Sequence, residues 1–367
     1  MPGAIDTLLN QFLDMGIPAF DCLVYYRGNE VYRRLAGFRD AERNTPLDAG
    51  QWFNIYSVSK LMTVTAVMQL IEEGTLHLQD RLSDFFPEFA HMQVREGDTV
   101  RSAETSITLE HLLTMTAGFN YDRSATRPIW VKAREMSGGD CPTVQTVRLL
   151  AQEPLDFEPG TDWQYSFAHD ILAGILEVIA GERFSLYMEK HLFEPLGMMH
   201  STFDAAQVPD ELLCAQYRYE AQTHTMANCG KSIQNGFQLG DAYEAGGAGC
   251  RSTAEDVMRL LESLRTGEIL TPATVKHMSE NRLHGRPADT FRADQHDTRY
   301  GYGLGIGCPN GTTGWDSFGW GGAAGAFCAV DLSHEISIVY LQHVLARPNR
   351  WERRELCSAV RKDLGIL

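Results

Sequence analysis

The sequence predicts an α+β protein: an antiparallel sheet assembled from segments at both ends of the chain, flanked by helices, with a mostly helical region inserted between them. Three observations carry this reading. β-rich runs cluster at residues 20–38 and 300–342, the stretch from about residue 80 to 235 reads as helical pieces and long loops, and no internal repeat runs through the 367 residues. Hydrophobic residues make up 44% and charged residues 22%, ordinary values that exclude a disordered or collagen-like chain. Length alone, at roughly 150 residues per domain, suggests two domains. The placement of the strands makes one of them discontinuous: 1–80 plus 245–367 as the sheet domain and 81–244 as the helical domain. Ligand sites favour the cleft at such a junction.

Taken in order, residues 3–15 carry Ile5, Leu8, Leu9, Phe12 and Leu13 at helical spacing. Cys22-Leu23-Val24-Tyr25-Tyr26, the turn residues Arg27-Gly28-Asn29 and the return from Val31 read as a hairpin. A strong helix pattern over 57–74 closes at Gly74. In the middle region Ile171–Ala180 and Phe184–Phe193 are the clearest helices, and helical signal returns at 253–265 and 271–279. Ile336-Ser337-Ile338-Val339-Tyr340-Leu341 is the best strand, and 351–364 reads as a closing helix.

The formal net charge is −16, which repels phosphate backbones and anionic lipid, so neither nucleic acid nor a membrane surface is an expected partner. No run of about 20 apolar residues is present. The eight cysteines form no C-x-x-C pair, and the first residues lack a basic leader pattern, so a reduced, cytoplasmic protein is expected. The 12 histidines show no ligand spacing, and no metal or other cofactor is expected. Gly230-Lys231-Ser232 imitates the end of a phosphate loop, but Thr225 stands where the first glycine is required.

The most informative chemistry is Ser57-Val58-Ser59-Lys60 at the start of the 57–74 helix. Three residues apart, Ser57 and Lys60 share one helix face. A serine hydroxyl is a weak nucleophile until a neighbour takes its proton, and a lysine one turn away can do so. The helix start adds unpaired backbone N–H groups suited to an oxyanion. With 18 serines and six lysines, S-x-x-K is expected by chance about 0.3 times, and Ser57 as a simple helix cap is the competing reading. Two further segments sharpen the choice. Tyr165 sits at a loop-to-helix junction in Pro159-Gly160-Thr161-Asp162-Trp163-Gln164-Tyr165-Ser166, and Phe318-Gly319-Trp320-Gly321-Gly322-Ala323-Ala324-Gly325 brings a glycine-rich backbone into the strand from Phe327.

In this order the three segments resemble the serine β-lactamase and penicillin-binding-protein superfamily. The likeness extends to the leucine-rich, threonine-glycine segment Ile107–Gly118 and the glycine-rich turn Gly246–Asp256, and so covers roughly residues 20 to 345. Within the superfamily the chain is most similar to the class C-like branch that includes family VIII carboxylesterases. The resemblance implies Ser57 as the acyl-accepting nucleophile, with Lys60 and Tyr165 sharing its proton. It implies an oxyanion hole from the backbone N–H groups of Ser57 and Ala323. Trp320, Gly321, Gly322, Phe167, His169 and Trp315 are the residues expected at the substrate pocket, with Trp163 and Tyr300 as further candidates.

Two departures bear on substrate. No K-[ST]-G occurs, and Trp320 stands where β-lactamases keep that lysine. The tyrosine motif reads Tyr165-Ser166-Phe167 where lactamases have Y-x-N. Both changes remove polar contacts to a β-lactam or a peptide terminus and suit an ester with an apolar acyl group. The sequence therefore predicts a serine hydrolase acting through an acyl-enzyme, a carboxylesterase on small esters with an apolar acyl group, whose partner is a small-molecule ester or amide substrate. Acyltransferase, amidase or peptidase, or weak β-lactamase activity at the same site are the alternatives, as is a non-catalytic binding protein on the same scaffold. Oligomeric state is left open.

Overall fold

A computed structural model describes residues 3–40, 42, 44–121, 123–230, 237–296, 299–311, 317–347 and 352–366. At its centre is an eight-stranded, wholly antiparallel sheet. From one edge its strands are Tyr300–Tyr302, Gly307–Pro309, Ser317–Gly321, Phe327–Asp331, Ile336–Gln342, Ala19–Tyr26, Asn29–Asp40 and Thr45–Pro46. The Ala19–Tyr26 strand pairs on one side with Ile336–Gln342 and on the other with Asn29–Asp40, so the two ends of the chain meet mid-sheet. The hairpin turn places Arg27 (φ 53°) and Gly28 (φ 78°) in the left-handed region, the geometry that matches the twist of the flanking strands.

Period-2 alternation sends side chains to two separate cores. Cys22, Val24, Ile336, Ile338 and Tyr340 point outward, beneath the terminal helices Ala4–Asp14 and Glu352–Asp363. Leu23, Val339 and Leu341 point inward, under the Ser59–Glu72 and Ala254–Thr266 helices. Because both faces are covered, Ile336–Gln342 is buried along its whole length, which explains its unbroken apolar run.

The predicted helices form at Ala4–Asp14, Ala168–Ala180, Ala254–Thr266, Pro272–Met278 and Glu352–Asp363. The middle region departs from expectation in detail. It contains two hairpins, Gln93–Glu96 with Thr99–Ser102 and Gln216–Glu220 with Thr225–Gly230. Their strands are short and mostly solvent-facing, so they lack the apolar alternation that reveals a strand. Phe184–Phe193 begins as an α-helix and widens to a π-turn at Glu189–Phe193. A helix at Gly285–Gln295, whose buried residues are only Ala288 and Phe291, has too little apolar periodicity to be read from sequence. Of the phosphate-loop imitation, Lys231 and Ser232 lie outside the described residues. No helix among the described residues is long and apolar enough to cross a membrane.

Candidate active site

The Ser59–Glu72 helix is buried on nearly every side from Ser59 to Met68. A helix apolar all round is a central one. It is entered through a 3₁₀ turn, Tyr56–Val58, in which Tyr56 has φ 48°. A non-glycine residue in that region costs on the order of 1–3 kcal/mol and persists only where its surroundings hold it. Here the Tyr56 ring is buried and its hydroxyl donates to Gln216 Oε1 at 2.5 Å. Ile55 caps this turn and Val58 the following helix, so Ser57 is not the cap; its Oγ accepts from Lys60 Nζ at 3.4 Å. Hydrogen bonds of this length are common in unliganded sites of this kind.

Lys60 is completely buried. Its Nζ donates to the Gly247 carbonyl at 2.7 Å and to the Tyr121 hydroxyl at 3.3 Å, and lies 4.5 Å from the centre of the Tyr165 ring. The Gly246–Cys250 turn is bound along this helix by a series of contacts. Ser59 Oγ accepts from the Cys250 N–H at 3.0 Å, Thr63 donates to the Gly246 carbonyl at 2.7 Å, and the Ile55 N–H donates to the Cys250 carbonyl at 3.2 Å. A side chain on Gly247 would come within 3.0 Å of Lys60 Nζ and 2.9 Å of both Tyr121 Oη and Asp170 Oδ2, so glycine alone leaves this meeting point open.

Tyr165 precedes the Ala168–Ala180 helix, stacked on Trp163 with ring centroids 6.2 Å apart. Its hydroxyl oxygen accepts from the Trp320 indole N–H at 2.9 Å. Trp320 reaches it from the Ser317–Gly321 strand, its ring lying 3.0 Å from where a Gly307 side chain would begin. The turn after that strand carries Gly322 to the helix start. A Cβ on Gly322 would sit 2.3 Å from the Ile55 carbonyl oxygen, two residues before Ser57, so strand turn and helix start touch backbone to backbone.

The structure thus brings Ser57, Lys60, Tyr165 and Trp320 together, with Gly322 against the start of the Ser57 turn. Two residues expected to line a pocket are placed differently: Phe167 and His169 are 2% and 0% exposed, packed beneath the site. Phe167 lies against Tyr121 and Trp130, and His169 faces Lys60, Val64 and Gly305. The first turn of a helix buried on its inner face sends them inward. Trp163 is also buried, whereas Tyr300 is half-buried at the sheet edge. Trp315 lies outside the described residues.

Sequence reasoning missed Tyr121, the phenol on Lys60, and Asp170, the carboxylate behind it. Tyr121 follows the segment ending at Gly118 (φ 90°) by three residues. Burial and the nearby Asp170 hold the Tyr121 phenol well above its ordinary titration range, so it stays protonated.

Fold and site define a class, the serine hydrolases of β-lactamase type. The Beta-lactamase family model matches residues 5–356, and the chain belongs to that family. It is similar to Esterase EstB of Burkholderia gladioli, 28% identical over 285 residues, covering 73% of this chain and 71% of that one. It is likewise similar to Lovastatin esterase of Penicillium rubens, 28% identical over 332 residues and 82% of each chain. Among solved structures, EstCE1, described as a hydrolase with promiscuous acyltransferase activity, superimposes with a TM-score of 0.82 at 27% identity over 97% of both chains.

Proposed function

We propose that this protein is a carboxylesterase that works through an acyl-enzyme on Ser57. The observation that carries this is the buried contact of Lys60 Nζ with Ser57 Oγ, beside a Tyr165 oxygen held by Trp320. Ser57 attacks the ester carbonyl while the Lys60–Tyr165 pair takes its proton. The backbone N–H groups of Ser57 and Ala323 receive the oxyanion, and Tyr165 returns the proton to the departing alcohol. Water then resolves the acyl-enzyme. The substrate enters between the helical region 81–244 and the discontinuous sheet unit. Trp320 supports an ester over a β-lactam, because an indole offers no charge to a carboxylate. The eight free cysteines support a reducing, cytoplasmic setting. Acyl transfer to a second alcohol is the one further reading with support, from the description of EstCE1.

The test is a chain-length series of p-nitrophenyl esters beside a chromogenic cephalosporin, with mass spectrometry after a phosphonate probe. The expected result is ester turnover, a single adduct on Ser57, and loss of both in Ser57→Ala. Near wild-type turnover in Ser57→Ala overturns the assignment, and a cephalosporin rate exceeding every ester rate overturns the substrate class. Product analysis with added alcohol separates transfer from hydrolysis.

A further inference from the structure

Asp170 is 1% exposed and stands in the first turn of the Ala168–Ala180 helix, where no step described so far uses it. One oxygen, Oδ1, accepts from the Tyr243 hydroxyl at 3.1 Å. The other, Oδ2, faces the open point at Gly247, 2.9 Å from the position a Cβ would take, with Lys60 Nζ 3.0 Å from the same point. Carboxylate and lysine nitrogen are therefore no more than about 6 Å apart, inside the range over which opposite charges favour each other's ionised form.

The other groups around Lys60 are Ser57, Tyr121, Tyr165 and His169. Burial and Lys60 itself hold His169 well below the ordinary histidine range, so that ring is neutral. Tyr121 and Tyr243 are held well above the ordinary phenol range. Asp170 is the one carboxylic acid among the groups named here. Burial raises its carboxyl to about 6, against the opposing pull of Lys60 and Tyr243.

We propose that Asp170 is the counter-ion of Lys60, a positioning residue that acts across Gly247 to hold the lysine toward Ser57, and that Tyr243 holds the carboxylate in place. This rests on the acyl-enzyme reading of Ser57 and Lys60. It separates Asp170 from a plain helix-start acid, which would contribute to stability without touching the chemistry.

The experiment is the pH profile of kcat/KM for an activated ester in wild type, Asp170→Asn and Tyr243→Phe, with ¹⁵N-lysine NMR titration of the same proteins. The chain has six lysines, and Lys60→Arg assigns the Lys60 signal by difference. In Asp170→Asn the Lys60 titration moves to lower pH by about one unit or more, and the limb of the pH profile that follows Lys60 moves with it. Tyr243→Phe moves both the same way by less. Both unmoved in Asp170→Asn, with only thermal stability reduced, overturns the proposal. If Asp170→Asn does not fold, Tyr243→Phe decides it by the same two readouts. Because the NMR titration needs no turnover, absence of esterase activity in wild type counts against the function and leaves the counter-ion assignment to be judged by NMR alone.

Discussion

The Trp320 indole N–H goes to the Tyr165 oxygen. Trp320→Phe keeps the ring and removes that donor. A hydrogen bond to a group that develops charge is worth about 1.5–3 kcal/mol, so kcat/KM falls on the order of 10–100-fold while the melting temperature stays close to wild type. Steady-state kinetics with one activated ester and a thermal melt check both halves. Ser57, Lys60 and Tyr165 were legible in the sequence because their information is local. A three-residue spacing fixes the first two on one helix face, and the loop-to-helix junction marks the third. Asp170, Tyr121 and Tyr243 carry no such local mark. Each is an ordinary polar residue until folding brings it to Lys60 from a distant segment, and Asp170 in particular reads as a favourable first-turn acid.

At the scale of elements, the site depends on how closely the Ser317–Gly321 strand turn approaches the Tyr56–Val58 turn. Gly322 against the Ile55 carbonyl is the point of contact. A methyl there meets backbone at 2.3 Å, and neither partner is a flexible side-chain tip that can swing away. Gly322→Ala therefore moves Ala323 away from Ser57. Misplacement of about 1 Å costs on the order of 10²-fold in rate, and that is the expected loss in kcat/KM. Gly50→Ala, whose nearest neighbour would be the Asp48 side chain at 3.5 Å, is the matched control and leaves activity unchanged. Equal activity in the two variants refutes this account of the junction. The glycines at 319–325 could be read from sequence as a bulge or a ligand approach; which of these they serve is set by the helix start packed on them. The two missed hairpins and the Gly285–Gln295 helix share a different cause: each buries little apolar surface, so hydrophobic periodicity, the main sequence signal, is weak there.

At the scale of the whole molecule, the chain ends are tied together. Asp363 in the last helix accepts from the Ala4 and Ile5 N–H groups at 2.6 and 2.9 Å, capping a first helix whose own Gly3 cannot. Stability against pH is set by groups of opposite sign. Burial raises Glu177 from 4.5 to about 7 in the folded protein, so its contribution is full below about pH 4.5 and is lost as pH rises toward 7. Burial lowers His343 from 6.5 to about 4, so its contribution is present above pH 6.5 and lost as pH falls toward 4. Glu177→Gln removes the first trend alone. Its urea midpoint, relative to wild type, rises between pH 4.5 and 7 and levels off above; a constant offset across that window contradicts the assignment. By itself the sequence determined the α+β layout, the sheet shared by the two chain ends, the helix that carries Lys60 and the expectation of acyl-enzyme chemistry. Those follow from periodicity and short spacings, which are properties of neighbouring residues. Only the tertiary structure decided what surrounds Lys60. Charge and hydrogen-bond environment depend on distances across 61 to 187 residues of chain, from Tyr121 to Gly247, and no local pattern encodes them.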